Sequence, residues 1–193
     1  MSRKAEARDR ILRAAVRTLA EQGYAATTAR AIATTGGFAP GVIYYHFDDL
    51  EDLLLAAMRH TSDGRMARYT EQTADLHGLA DVLRVLRELY DEDAASGHIA
   101  AVQEMVAGAV ASSRLAEGVR AEVRRWEDFT EALLGRLLAG TPFEALVPKR
   151  ELAMAALAFY LGLEMLTHLD GDRTRADAIF SSARALVEGG DPY

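Results

Sequence analysis

Between Gly23 and Asp49 the chain is punctuated so densely that only two very short helices fit, and no other feature of the sequence constrains the fold as much. Gly23 ends one apolar-periodic segment, and Thr27-Thr28 supplies an N-cap for the next, whose apolar contacts are Ala29, Ile32 and Ala33. Gly36-Gly37 closes that segment. Pro40 fits the first turn of another, because it has no N–H to lose there and its φ is already helical. The new segment ends near His46, and Asp48-Asp49 is a cap for the one that follows.

Longer helices flank this corner. From about Lys4 to Glu21, Ile11, Leu12, Ala15, Val16, Leu19 and Ala20 recur at helical spacing, with Arg10, Arg13 and Arg17 on another face. Leu50, Leu53, Leu54, Ala57 and Met58 begin a fourth helix that runs to about Thr70. Breaks at Gly78, Ser96-Gly97, Ser112-Ser113, Gly140-Thr141-Pro142, Val147-Pro148 and Asp170-Gly171-Asp172 then separate five more, about 79–95, 98–111, 114–139, 149–169 and 173–188. No alternating strand-like run competes. The expected fold is all-α with about nine helices: a three-helix helix-turn-helix domain over 1–48 and a helical bundle over 49–193.

Charge divides the chain in the same place. The net charge is −7, yet residues 1–47 hold seven basic side chains (Arg3, Lys4, Arg8, Arg10, Arg13, Arg17, Arg30) against three acidic ones, leaving −11 for the rest. A basic head on an acidic body suits a nucleic-acid face. Local i,i+4 pairing of Glu6 with Arg10 and of Asp9 with Arg13 is the plainer alternative. At 193 residues with 50% hydrophobic content the chain can build a real core, and with no cysteine it has neither disulfides, thiolate metal sites nor cysteine catalysis. The charged N-terminus does not read as a secretory signal, and the apolar run Leu152 to Leu163 falls short of the roughly 20 residues that cross a bilayer. A cytoplasmic protein without a membrane partner is expected.

Two short helices joined by a glycine-containing turn make a helix-turn-helix, whose second helix enters the DNA major groove. The small residues Ala39, Gly41 and Val42 let that helix approach base edges, Tyr44, Tyr45 and His46 add polar groups on stiff stems, and Ile43 and Phe47 face the core. A corner in an unrelated α protein carries the same punctuation, so turn chemistry alone leaves both readings open.

Residues 10–58 resemble the DNA-binding domain of the tetracycline-repressor (TetR) family of bacterial transcription regulators. The resemblance rests on the first helix ending in Gly23-Tyr24, then Thr27-Thr28, Ile32-Ala33, Gly36-Gly37, Gly41, Tyr44-Tyr45-His46-Phe47 and Leu53-Leu54. It implies a nine-helix subunit with a DNA-binding head, a connecting fourth helix, a C-terminal effector-binding domain, and a homodimer formed through the last two helices. It also implies a phosphate contact at Thr28 and a recognition helix from Ala39 to His46. Where such proteins commonly carry a hydroxyl residue and then Lys, this chain has Ala39 and Pro40, and where they carry Lys near the start of the fourth helix it has Leu50. With no Arg, Lys, Asn or Gln from Ala39 to Phe47, bidentate base reading is absent from this helix. Readout is expected through thymine-methyl contact with Ala39, Pro40 or Val42, backbone amides, tyrosine hydroxyls and DNA shape, with Arg3, Lys4 and Arg30 supplying charge.

In the body, Met58, Met66, Tyr69, Tyr90, Gln103, Met105, Trp126, Phe129, Tyr160, Glu164, Met165 and His168 could line a cavity, and most such residues are plain core. Trp126 and Phe129, followed by Tyr69, Gln103 and Tyr160, are the candidates for touching a small, mostly apolar effector. Leu152, Ala155, Phe159, Leu163 and Leu166 on the eighth helix, with Ile179, Ala183 and Leu186 on the ninth, form a strip suited to a four-helix contact between two subunits. Glu164 and His168 are one helical turn apart, but the pair is not repeated as a di-iron bundle requires, so no catalytic residue, metal or cofactor is expected. The reading is a repressor that binds a palindromic double-stranded DNA operator as a homodimer and is released by its effector. A helical interaction module that has lost DNA binding is the alternative.

Overall fold

The computed structural model describes residues 3–76, 79–142 and 144–189, and among them nine α-helices and no strand. They are α1 (Arg3–Gln22), α2 (Ala29–Gly36), α3 (Gly41–His46), α4 (Leu50–Gln72), α5 (Leu79–Ser96), α6 (His98–Gly108), α7 (Ser113–Leu138), α8 (Lys149–Asp170) and α9 (Thr174–Gly189). The predicted caps form. Thr28 Oγ1 accepts from the Ala31 N–H at 3.1 Å, Gly37 closes α2 at φ 67°, where a side chain would be strained, and Asp49 Oδ1 accepts from the Asp52 N–H at 2.8 Å.

By packing, the chain groups into two units, Met1–Arg65 with Ser96–Val123, and Met66–Ala95 with Arg124–Tyr193. This line differs from a motif boundary at 48/49, because α6 and the first half of α7 pack with the helix-turn-helix.

In the first unit Ile11, Leu12, Leu19, Ile32, Ile43, Phe47, Leu53 and Leu54 are buried in one cluster, each removing enough apolar surface from water to contribute about 2 kcal/mol. Ile43 and Phe47 therefore anchor α3 from beneath, as expected. Met58 and Met105 belong to this core too, and not to a cavity of the body. Helix α6 lies against α1: Gly108 leaves room for the Tyr24 ring, and Glu104 Oε2 accepts the Tyr24 N–H at 2.7 Å. Helix α7 meets α4 where Gly118 faces Leu55.

In the second unit the Tyr69 ring meets Trp126 and Phe129 edge-on at 5.8 and 6.3 Å between centroids, an arrangement that sets ring edges against ring faces. Asp93 is fully buried. Its Oδ2 accepts from the Tyr69 hydroxyl at 2.7 Å and the Tyr160 hydroxyl at 2.8 Å, and its Oδ1 from Arg68 at 2.9 Å, so one carboxylate joins α4, α5 and α8. Nearby, the Tyr90 hydroxyl bonds Thr167 at 3.0 Å; burial and the Glu164 carboxylate push that phenol above its ordinary pKa. Arg87 bridges Asp91 and Asp177, which ties α5 to α9.

Candidate DNA-binding surface

The buried Ile43 and Phe47 leave the opposite side of α3 facing outward. Ala39, Pro40 and Gly41 are exposed, Val42 and His46 are half-buried, and Tyr44 and Tyr45 stand 60% and 73% exposed. The Tyr45 and His46 rings meet edge-to-face at 5.0 Å, which stiffens the end of the helix. Backbone readout is narrower than the sequence suggests. Pro40 has no N–H, and the amides of Val42 and Ile43 already donate to the Ala39 and Pro40 carbonyls at 3.0 and 3.1 Å. Thr28 and Arg30 are exposed at the start of α2; the Thr28 oxygen is used by its cap, but its hydroxyl hydrogen remains to donate to a phosphate.

The charge missing from α3 arrives from α1. Lys4 Nζ lies 5.4 Å from the centre of the Tyr45 ring, while Arg8 and Arg10 lie over Phe47 and Phe38 at 5.1 and 5.4 Å. Arg3 and Lys4 are exposed. Spacing groups Arg10 with Arg13 and Arg17 but marks neither Arg8 nor Arg10 as lying beside an aromatic ring, since a cation on a solvated helix face gives no sign of the neighbour another helix brings to it. Two of the basic face's members serve the head's own structure: Arg13 pairs with Asp9, to which His60 also bonds at 2.9 Å, and Arg17 donates to the Thr35 carbonyl.

The candidates in the body divide. Tyr69, Trp126 and Phe129 come together, and Tyr160 joins Tyr69 through Asp93, which the sequence reading missed. Gln103 lies on α6 in the first unit, with its side-chain nitrogen buried and unbonded. Glu164 is buried and His168 exposed, so they do not converge, and among the described residues no group of His, Asp and Glu could hold a metal.

On α8 and α9, Leu152, Ala155, Phe159, Leu166, Ile179 and Leu186 are exposed and Ala183 is half-buried. Leu163 departs from the expected strip: at 4% exposure it packs with Tyr90 and Ala176 inside its own unit. Met154, Met165 and Leu169 instead extend the outward apolar surface. Helix α8 is the one described helix long and apolar enough, by length and composition, to cross a membrane.

A short exposed helix on a buried apolar footing, preceded by a capped helix and a glycine turn and with cations beside it, has the form of a helix-turn-helix motif. Residues 11–57 match the family model for bacterial regulatory proteins of the tetR family. The HTH-type transcriptional repressor AcnR of Corynebacterium diphtheriae is 40% identical over 77 residues, which is 40% of this chain and 38% of that protein; the match thus spans well under half of the relative's length. FadR, a fatty acid degradation regulator from Bacillus halodurans, superposes with a TM-score of 0.78 at 19% identity, covering 100% of this chain and 98% of the other. FadR from Bacillus subtilis, solved with stearoyl-CoA, gives 0.72 at 18% identity over 93% and 96%. At such identities the solved structures share the fold. Residues 11–57 are therefore similar to the DNA-binding region of the tetR family, and over its whole length the chain shares its fold with the two FadR structures.

Proposed function

We propose that this chain is a cytoplasmic repressor that binds a palindromic operator as a homodimer and leaves it when a small, mostly apolar effector binds. The observation that carries the reading is the outward surface from Ala39 through Tyr45, uncharged itself, with Lys4 5.4 Å from the Tyr45 ring and with Arg3 and Arg30 exposed on α1 and α2. Such a surface suits apolar contact with thymine methyls and tyrosine contacts to the sugar-phosphate chain, with cations outside the groove supplying affinity.

A dimer through α8 and α9 is supported by the exposed Leu152, Phe159, Leu166, Ile179 and Leu186. For the effector, the half-buried Trp126 and Phe129 beside Tyr69 and Tyr160 favour an apolar chain or ring, and stearoyl-CoA in the Bacillus subtilis relative makes long-chain acyl thioesters the first compounds to try. Linkage explains release: an effector that prefers a spacing of the two recognition helices other than about one DNA turn, ~34–36 Å, lowers operator affinity.

Selection from a random duplex pool with the full chain tests the proposal. Enrichment of a two-fold-symmetric site is expected. If no sequence is enriched even at low salt, the repressor reading fails and the interaction module takes its place.

A further inference from the structure

Arg114 stands in the first turn of α7, where a cation opposes the helix dipole and no acidic residue shares that turn. Its partner accounts for the placement. The guanidinium Nη1 lies 2.5 Å from Oδ2 of Asp49, sixty-five positions earlier in the chain, and both side chains are half exposed. Asp49 caps α4 and opens an acidic cluster with Asp48, Glu51 and Asp52, in which Asp52 Oδ2 accepts the Asp48 N–H at 3.2 Å. The acids favour the start of α4, since carboxylates suit a helix N-terminus.

For a DNA-binding head the same cluster is a liability. Asp49 follows His46 by three residues, so it lies no more than ~10 Å along the chain from the end of the recognition helix. That is about one Debye length at 0.1 M salt, so phosphates meeting Tyr44 or Tyr45 would feel its charge. No lysine stands at Leu50 to offset it. Arg114 does so from another helix, and one turn further along α7 Gly118 faces the end of the Leu55 side chain on α4, where a Cβ would come within 2.3 Å of Leu55 Cδ2. The Asp52 amide and then Arg114 draw the Asp49 carboxyl below its ordinary range, and the charges of Glu51 and Asp52 add to the pull on Arg114.

We propose that Arg114 is a determinant of DNA affinity lying outside the helix-turn-helix, a screening residue that neutralises Asp49 so that the acidic start of α4 can lie beside the phosphate chain. The inference rests on the DNA-binding reading above. Its test is a fluorescence-anisotropy titration of the selected operator with the full-length wild type, R114A, R114K, D49N and R114A/D49N, with thermal melts to verify folding. R114A should bind about tenfold more weakly near 0.1 M salt, and R114K should keep most of the affinity. D49N should bind at least as tightly as wild type, because Asn still caps the helix while the repelling charge is gone. The double variant should return to within about twofold of wild type.

Wild-type affinity in R114A, or a double variant as weak as R114A, overturns the screening role while leaving the repressor reading intact. Should R114A melt below the assay temperature, D49N alone decides, and weaker binding by it overturns the inference. A wild-type chain that selects no duplex overturns the repressor reading and this inference with it.

Discussion

The Asp93 carboxylate holds two tyrosine hydroxyls on one oxygen and an arginine on the other, in a place no solvent reaches. Removing it takes the shared acceptor from the Tyr69 and Tyr160 hydroxyls and one of two carboxylate partners from Arg68, which keeps Glu92, and losing an acceptor from a buried hydroxyl costs more than the original bond contributed. Replacement by Ala should destabilise the chain by about 3–5 kcal/mol, measured as a lowered urea midpoint with an unchanged slope; Asn, which keeps an acceptor oxygen, should cost less. Nothing in the sequence marks this residue. Asp91, Glu92 and Asp93 read together as a solvated acidic stretch, and only the arrival of Tyr69 and Tyr160 from other helices separates the third from the first two. Thr28 and Asp49 differ because a cap is satisfied within its own next four residues, which the sequence states directly.

At the scale of helices the same contrast recurs. The starts and stops of α2, α3 and α4 were legible because Gly, Pro, Thr and Asp act locally, whereas the inward face of α8 was not. That helix is apolar on most sides, so periodicity cannot choose between the row through Ala153, Leu163 and Glu164 that faces inward and the row through Leu152, Phe159 and Leu166 that faces out. Leu163 lies on the inward row, packed with Tyr90 and Ala176, and not on the outward strip that periodicity allows for it. Close approaches between helices are also silent in a single sequence. A Cβ at Gly108 would come within 2.6 Å of the Tyr24 ring, so Gly108→Ala must lift α6 from α1 and strain the Glu104 bond to the Tyr24 amide. The expected loss is about 1–3 kcal/mol, visible as a drop of several degrees in Tm, with weakened operator binding because α1 carries Lys4 beside Tyr45.

For the whole molecule, the family resemblance and the order of nine helices were readable, but the assembly was not, since one chain cannot show what covers its own outward face. The proposed pairing predicts a sedimentation mass of twice the 21.0 kDa chain, and Phe159→Asp, which sets a charge at a 56% exposed aromatic, should shift the protein toward the single-chain mass while leaving its helix content unchanged. The outward side of α8 has a further consequence for dosage. When most chains are unpaired, the number of pairs follows the square of the number of chains, so halving expression would cut the DNA-competent species roughly fourfold. A cell could then throw this switch by modest changes in synthesis or turnover, with no small molecule involved.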